Sequence, residues 1–130
     1  MAEELLRQAF ISAGKLDCFV NSAGLTALVG HKAEPSACRV MIEKGLDISA
    51  HRACQLNTEM IRKSDLILVM ESCHKTAVEK KEPSAKGKVF RLGEWGKFDI
   101  GDPYRKQLPA FERSLTLIEL GISQWIKKLV

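Results

Sequence analysis

Long apolar runs are missing from this chain. The longest, residues 66–70, covers five positions, where a bilayer-spanning helix needs about 20. No charged, apolar and small-residue leader precedes the first helical pattern, so a cytoplasmic protein without membrane insertion is the expectation. Cysteine is scarce and its spacing is unpaired: Cys18, Cys38, Cys54 and Cys73 form no C-x2-C. Reduced, mostly buried thiols follow from that spacing, not a disulfide framework. His51 and His74 near Cys54 and Cys73 match no zinc spacing either, so neither metal nor cofactor is expected. Charge of one sign never clusters. The net charge of +4 is spread over scattered Lys and Arg, which suits anionic partners but not nucleic acid, where a basic stripe with interleaved aromatics would be needed.

What is present supports one core. A chain of 130 residues that is 45% hydrophobic buries a single core, so residues 1–130 read as one domain. Leu5, Leu6, Ala9, Phe10 and Ala13 share one side of a helix that starts near Met1 and stops at Gly14. No side chain ahead of it can cap it, and its N-terminus is a natural seat for a phosphate. Residues 15–22 read as a short strand ending at Ser22, followed by an exposed loop over residues 25–30. Pro35 opens a helix with Ala37, Val40 and Met41 on its apolar face, ended by Gly45. Asn57 or Thr58 caps a short helix to Lys63. Residues 66–69 then form a strand apolar on both faces, followed by a helix over residues 72–80 and a last strand over residues 88–92. Phe111, Leu115, Ile118, Ile122, Trp125, Ile126 and Leu129 recur at three- and four-residue intervals, which predicts one long amphipathic helix. Strands alternating with helices give an α/β fold with a doubly wound, mostly parallel sheet and helices on both faces.

Between the last strand and the last helix lies a long stretch without periodicity, and loops of that length in a compact domain are usually functional. It contains Gly101-Asp102-Pro103-Tyr104-Arg105-Lys106. Asp102 sits between a permissive glycine and a proline with fixed φ, which constrains its carboxyl. An acid held two residues from Tyr104 suits a site that sandwiches an aryl group and protonates the oxygen leaving it. Taken alone, Asp-Pro is also a common turn dipeptide.

From KVFRLGEWGKFDIGDPYRKQLPAFERSLTLIELGISQW, together with MAEELLRQAF, NSAGL, GLDISAHRACQL and SDLILVMES in that order, the chain resembles the low-molecular-weight protein tyrosine phosphatases. The likeness is to the bacterial type paired with exopolysaccharide-machinery tyrosine kinases. It implies that Asp102 is the general acid, that Tyr104 flanks the substrate ring and that Leu28 walls the cleft. It also implies that Ser22 and His51 brace the phosphate loop, and that the partner is a phosphotyrosine protein such as a bacterial tyrosine kinase.

The family's nucleophile and phosphate cradle come from a Cys-x5-Arg loop, and counting finds none here. Six places after Cys18, Cys38, Cys54 and Cys73 stand Gly24, Lys44, Met60 and Glu79. The resemblance places that loop, and the strand leading into it, ahead of Met1, so the 130 residues read as an N-terminally truncated domain, inactive alone. The alternatives are a pseudophosphatase that binds phosphotyrosine-kinase partners and, more distantly, an arsenate reductase relative. Against the last stands Met70-Glu71 at the strand end, where those proteins carry a cysteine, and the Tyr after Asp-Pro. In the family's sheet the absent strand lies between the strand near Val20 and the strand near Leu68. Its loss predicts self-association through exposed edges or re-pairing of the flanking strands.

Overall fold

The structure is a computed structural model that describes residues 1–26, 29–103 and 106–129. Helix α1 spans Ala2–Ser12, α2 Pro35–Glu43, α3 Thr58–Lys63, α4 Ser72–Lys81 and α5 Leu108–Leu129. The strands are β1, Ile67–Val69, and β2, Val89–Arg91, paired in parallel with Leu68 opposite Phe90. Local chemistry sets several of these bounds. The Glu34 carboxylate accepts from the Ser36 amide at 2.9 Å ahead of Pro35, and Asn57 accepts from the Met60 amide at 2.9 Å; each satisfies a first-turn donor. Gly45 takes φ 76°, the left-handed turn that ends α2.

The pleat of β1 sorts its side chains to two covered faces. Ile67 and Val69 join Val89, Ile61 of α3 and Val78 of α4. Leu66, Leu68, Met70 and Phe90 pack instead with Ile118, Ile122 and Trp125 of α5 and Leu5, Leu6 and Ala9 of α1. Helices therefore lie on both faces of a parallel sheet, as the sequence predicts. A third cluster, Val40 and Met41 of α2 with Ile48, Phe111 and Leu115, seats α2 against the start of α5. Among the described residues no helix is long and apolar enough to cross a membrane.

Three expectations need correction. Residues 15–22 form no strand; only Gly24, beyond their end, bridges in parallel to Gln55. A strand exists through the ladder it shares with a neighbour, and among the described residues these have no neighbour to share one with. Nor do the flanking segments re-pair, since β1 pairs with β2 alone among the described residues. Of the four cysteines expected mostly buried, Cys18, Cys54 and Cys73 are exposed and Cys38 is partly buried.

Candidate active site

The loop that carries Asp102 is pinned from several sides. The Ile100 amide donates to the Met70 carbonyl at 2.9 Å, tying the loop to the carboxyl end of β1, and Ile100 itself is buried. Ser114 of α5 donates to the Gly101 carbonyl at 3.2 Å. Arg91 reaches Asp99 at 3.0 Å, and the Ser72 amide and hydroxyl both donate to the same carboxylate oxygen at 3.2 Å. The hydrogen bond from Arg91, helped by those from Ser72, holds the Asp99 carboxyl below its ordinary range against the opposing effect of desolvation. Upstream the chain folds tightly on itself: a Cβ on Gly93 would meet the Phe98 carbonyl oxygen at 2.3 Å. These ties place Asp102 in space although its own side chain is exposed.

Asp102 stands on the wall of a cavity of about 610 Å³, bounded by the start of α1, residues 47–51, Met70, residues 100–103 and the face of α5. Ser22, His51 and His74 line the same cavity. Met1 at the head of α1 supplies no side-chain cap, so the helix turns its first-turn N–H groups and partial positive charge toward this space.

Glu3 is the centre of the polar wall. The Ser22 hydroxyl donates to Glu3 Oε1 at 2.9 Å, His51 Nδ1 lies 3.7 Å from Oε2, and Arg7 Nη2 lies 3.4 Å from Oε2. Arg7 also pairs with Glu4 and donates to the Val20 carbonyl at 2.8 Å, which ties α1 to the segment ending at Ser22. Partial burial alone would raise the Glu3 carboxyl, but the Ser22 hydrogen bond and the charges of Arg7 and His51 outweigh it and hold it below the ordinary value. The resemblance names Ser22 and His51; it does not name the carboxylate they share. The signal in the sequence is the i,i+4 spacing of Glu3 and Arg7 in the first turns of a helix.

A lowered carboxylate has a definite pH signature. Its contribution to stability is complete above the unfolded value of about 4.3 and is lost as pH falls through the folded value. Glu3→Gln is therefore expected to lower stability by about 1–2 kcal/mol at pH 7 and by less at pH 3, which lies below the unfolded value. Thermal unfolding of both proteins at the two pH values measures this; coincident midpoints at pH 7 would remove Glu3 from the centre of the network.

Glu71, Cys73 and His74 also gather, their ligand atoms all within 4.8 Å of one another. Hydrogen bonds within the group account for it. His74 Nδ1 accepts from the Glu71 amide at 3.3 Å, which leaves the ring proton on Nε2, 3.3 Å from Glu71 Oε2. The imidazole thus closes the start of α4 and presents no lone pair to a metal. Tyr104 and Leu28, expected beside the substrate ring, lie outside the described residues.

A parallel sheet between helix layers, with a largely apolar cavity carrying a few polar groups at the carboxyl end of β1 and the N-terminus of α1, is an arrangement suited to phosphate-ester chemistry. The family model for low molecular weight phosphotyrosine protein phosphatase matches residues 1–130, and the chain belongs to that family. The probable low molecular weight protein-tyrosine-phosphatase EpsP of Ralstonia nicotianae is 46% identical over 129 residues, covering 99% of this chain and 86% of the relative. Wzb of Salmonella typhimurium is 42% identical over 111 residues, 85% of this chain and 74% of that one. Among solved structures, the tyrosine phosphatase Wzb from Escherichia coli K30 in complex with sulphate superimposes with a TM-score of 0.90 at 37% identity, covering 99% of this chain and 87% of its own. Vibrio vulnificus Wzb in complex with benzylphosphonate gives 0.90 at 35% identity, covering 98% and 87%.

Proposed function

We propose that this domain serves phosphotyrosine hydrolysis, with Asp102 as the acid that protonates the leaving phenol, and that the 130 residues by themselves do not turn over substrate. The observation that carries the reading is the placing of Asp102, Ser22, His51 and the head of α1 around one cavity. The sulphate and benzylphosphonate bound by the two Wzb structures resemble the phosphate group alone and the whole aryl phosphate of such a substrate. In the reaction a cysteine thiolate attacks phosphorus, the P–O bond to the ring breaks, and Asp102 gives its proton to the departing oxygen. Water then attacks the phosphocysteine, Asp102 takes the proton from that water, and phosphate leaves as the thiolate is restored. Ser22 and His51 act by bracing the loop that carries the thiolate, with Glu3 fixing both of them. Tyr104 and Leu28 belong to the walls of the aryl site.

The thiolate and the arginine that would balance phosphoryl charge require a Cys-x5-Arg sequence, which none of the four cysteines satisfies. A chimera with an apolar strand and Cys-x5-Arg joined ahead of Met1 tests the assignment. It should hydrolyse p-nitrophenyl phosphate and a phosphotyrosine peptide, and its Cys→Ser form should not; a folded chimera without activity would overturn the reading. The same motif count favours one second reading, a pseudophosphatase that binds a tyrosine-kinase partner of the exopolysaccharide type. That reading expects the 130-residue chain itself to retain a phosphotyrosine peptide in equilibrium dialysis. Failure to retain it would discard that reading.

A further inference from the structure

We propose that Lys32 and Arg52 form a carboxylate-binding clamp at the rim of the cavity, which selects phosphotyrosine peptides with Asp or Glu close to the phosphotyrosine. The two cations lie far apart in the sequence but face each other across an antiparallel bridge. The hydrogen bond that frames the bridge, from the Ala53 amide to the His31 carbonyl at 3.0 Å, belongs to the residues beside them. Lys32 and Arg52 are therefore a non-hydrogen-bonded pair, the arrangement that brings opposed side chains closest and puts them on one face. Both are exposed. Like charges held directly opposite each other are destabilising, and an anion bound between them turns that repulsion into attraction.

Arg52 is already set for such a ligand. Its Nη1 donates to the Ser49 carbonyl at 2.9 Å and to the His51 carbonyl at 2.8 Å, which accounts for both hydrogens of that nitrogen. The other edge of the guanidinium, Nε–H with Nη2, has no partner among the described residues. That edge is the fork that grips a carboxylate through two parallel hydrogen bonds. Backbone carbonyls on one side thus hold the fork ready on the other, so less side-chain freedom is lost on binding. Arg7, Arg62 and Arg91 are instead committed to carboxylates of the chain itself: Arg7 to Glu3 and Glu4, Arg62 to Glu82, Arg91 to Asp99 and Glu94. Glu34 and Asp47, the acids that precede or follow the pair most closely in sequence, accept from the backbone amides of Ser36 and Ser49. Among the described residues neither of them forms an ion pair with Lys32 or Arg52.

The position of the clamp links it to substrate. Ala33, next to Lys32, and His51, next to Arg52, line the cavity that holds Asp102, and the carbonyls that fix the guanidinium come from the loop that bounds it. A phosphotyrosine whose ring enters the cavity leaves its main chain at the rim, where an extended peptide advances about 3.3 Å per residue. The residues that reach the clamp are therefore the first few on one side of the phosphotyrosine. Two cations there favour Asp and Glu at those places and repel Lys and Arg from them. Selection among phosphotyrosine peptides rests on the phosphatase reading; the binding of a carboxylate by the pair does not.

Two measurements separate these statements. In the isotope-labelled 130-residue chain, the Arg52 Nε–H resonance is followed by NMR while a tyrosine-free peptide, Glu-Glu-Gly-Glu-Glu, is added. The resonance should shift saturably, should not shift with the Gln counterpart of the peptide, and should respond about three- to tenfold more weakly in Lys32→Gln or at high salt. Absence of a shift would overturn the clamp, and an equal shift with equimolar inorganic phosphate would overturn it in favour of a general anion site. The second measurement uses the chimera with Cys-x5-Arg ahead of Met1 and compares a phosphotyrosine peptide flanked by Glu with one flanked by Gln. The ratio of kcat/KM should favour Glu by about five- to tenfold, carried by KM with kcat alike, and should fall toward one in Arg52→Gln and in Lys32→Gln. Among the described residues Lys32 has no side-chain hydrogen bond, so its variant removes a charge without loosening the loop. A ratio near one in the unaltered chimera, or one undiminished in both variants, would overturn the selection. A folded chimera inactive on every substrate would overturn the phosphatase reading, and the Arg52 resonance would still decide the clamp.

Discussion

Assayed alone with p-nitrophenyl phosphate at mildly acidic pH, the 130-residue chain is expected to show no turnover above that of a cysteine-free control. Loss of a covalent nucleophile costs about six orders of magnitude by itself, and here the charge-balancing arginine is lacking as well. None of the four thiols offers a substitute. Cys54 comes nearest, with its sulfur 3.1 Å from the Ser22 carbonyl oxygen, but it points its proton at a carbonyl and has Met60 where the arginine belongs. Cys38 lies within α2 with its sulfur 3.8 Å from the Ala33 carbonyl oxygen. Turnover that disappears on thiol alkylation would contradict this and would make Cys54→Ser the next protein to assay.

Trp125→Ala should be the most damaging single change to the scaffold, at about 3–5 kcal/mol, a large part of the 5–15 kcal/mol that holds a typical domain folded. The indole is 4% exposed. It meets Phe90 and Trp95 edge-on at centroid distances of 5.6 and 5.3 Å, and its Nε1 donates to the Arg91 carbonyl at 3.1 Å. Those contacts bind α5 to the end of β2, where the chain departs toward Asp102, so the cavity wall should loosen with the core. Trp125→Phe keeps most of the apolar area and loses the donor, which predicts a smaller loss of about 1–2 kcal/mol. Urea unfolding followed by far-ultraviolet circular dichroism measures both. An alanine variant no less stable than the phenylalanine one would show that the indole is not central to the core.

Helix α5 is legible in the sequence because one buried stripe recurs through all of its turns, and β1 because four apolar residues in a row have no other economical home. The bounds of α2 and α3 follow from Pro35, Gly45 and Asn57, whose backbone preferences act locally. Residues 15–22 mislead for the opposite reason. Their composition suits a strand, but a strand is a relation between segments, and composition does not report whether the partner is there. The position of Asp102 in an aperiodic loop is equally legible, while the ties that hold it are not: Arg91, Asp99 and Ser72 come from three different parts of the chain and meet only once β2, the loop and α4 are packed. Glu3 was hidden in another way. In the sequence it is one of two acids in a first helical turn, where the helix dipole alone accounts for it; its link to Ser22 and His51 exists only in three dimensions.

The most direct measurement compares leaving groups in the chimera that carries Cys-x5-Arg ahead of Met1, with and without Asp102→Ala. Phenolate from phenyl phosphate is a poor leaving group and needs a proton as the P–O bond breaks, whereas p-nitrophenolate hardly does. With Asp102 as the acid, the substitution lowers kcat/KM for phenyl phosphate by about 10²–10⁴-fold and for p-nitrophenyl phosphate by far less. Equal losses on the two substrates, or none on either, would contradict the assignment of Asp102 and with it the role given to the loop that Ile100, Ser114 and Arg91 hold in place.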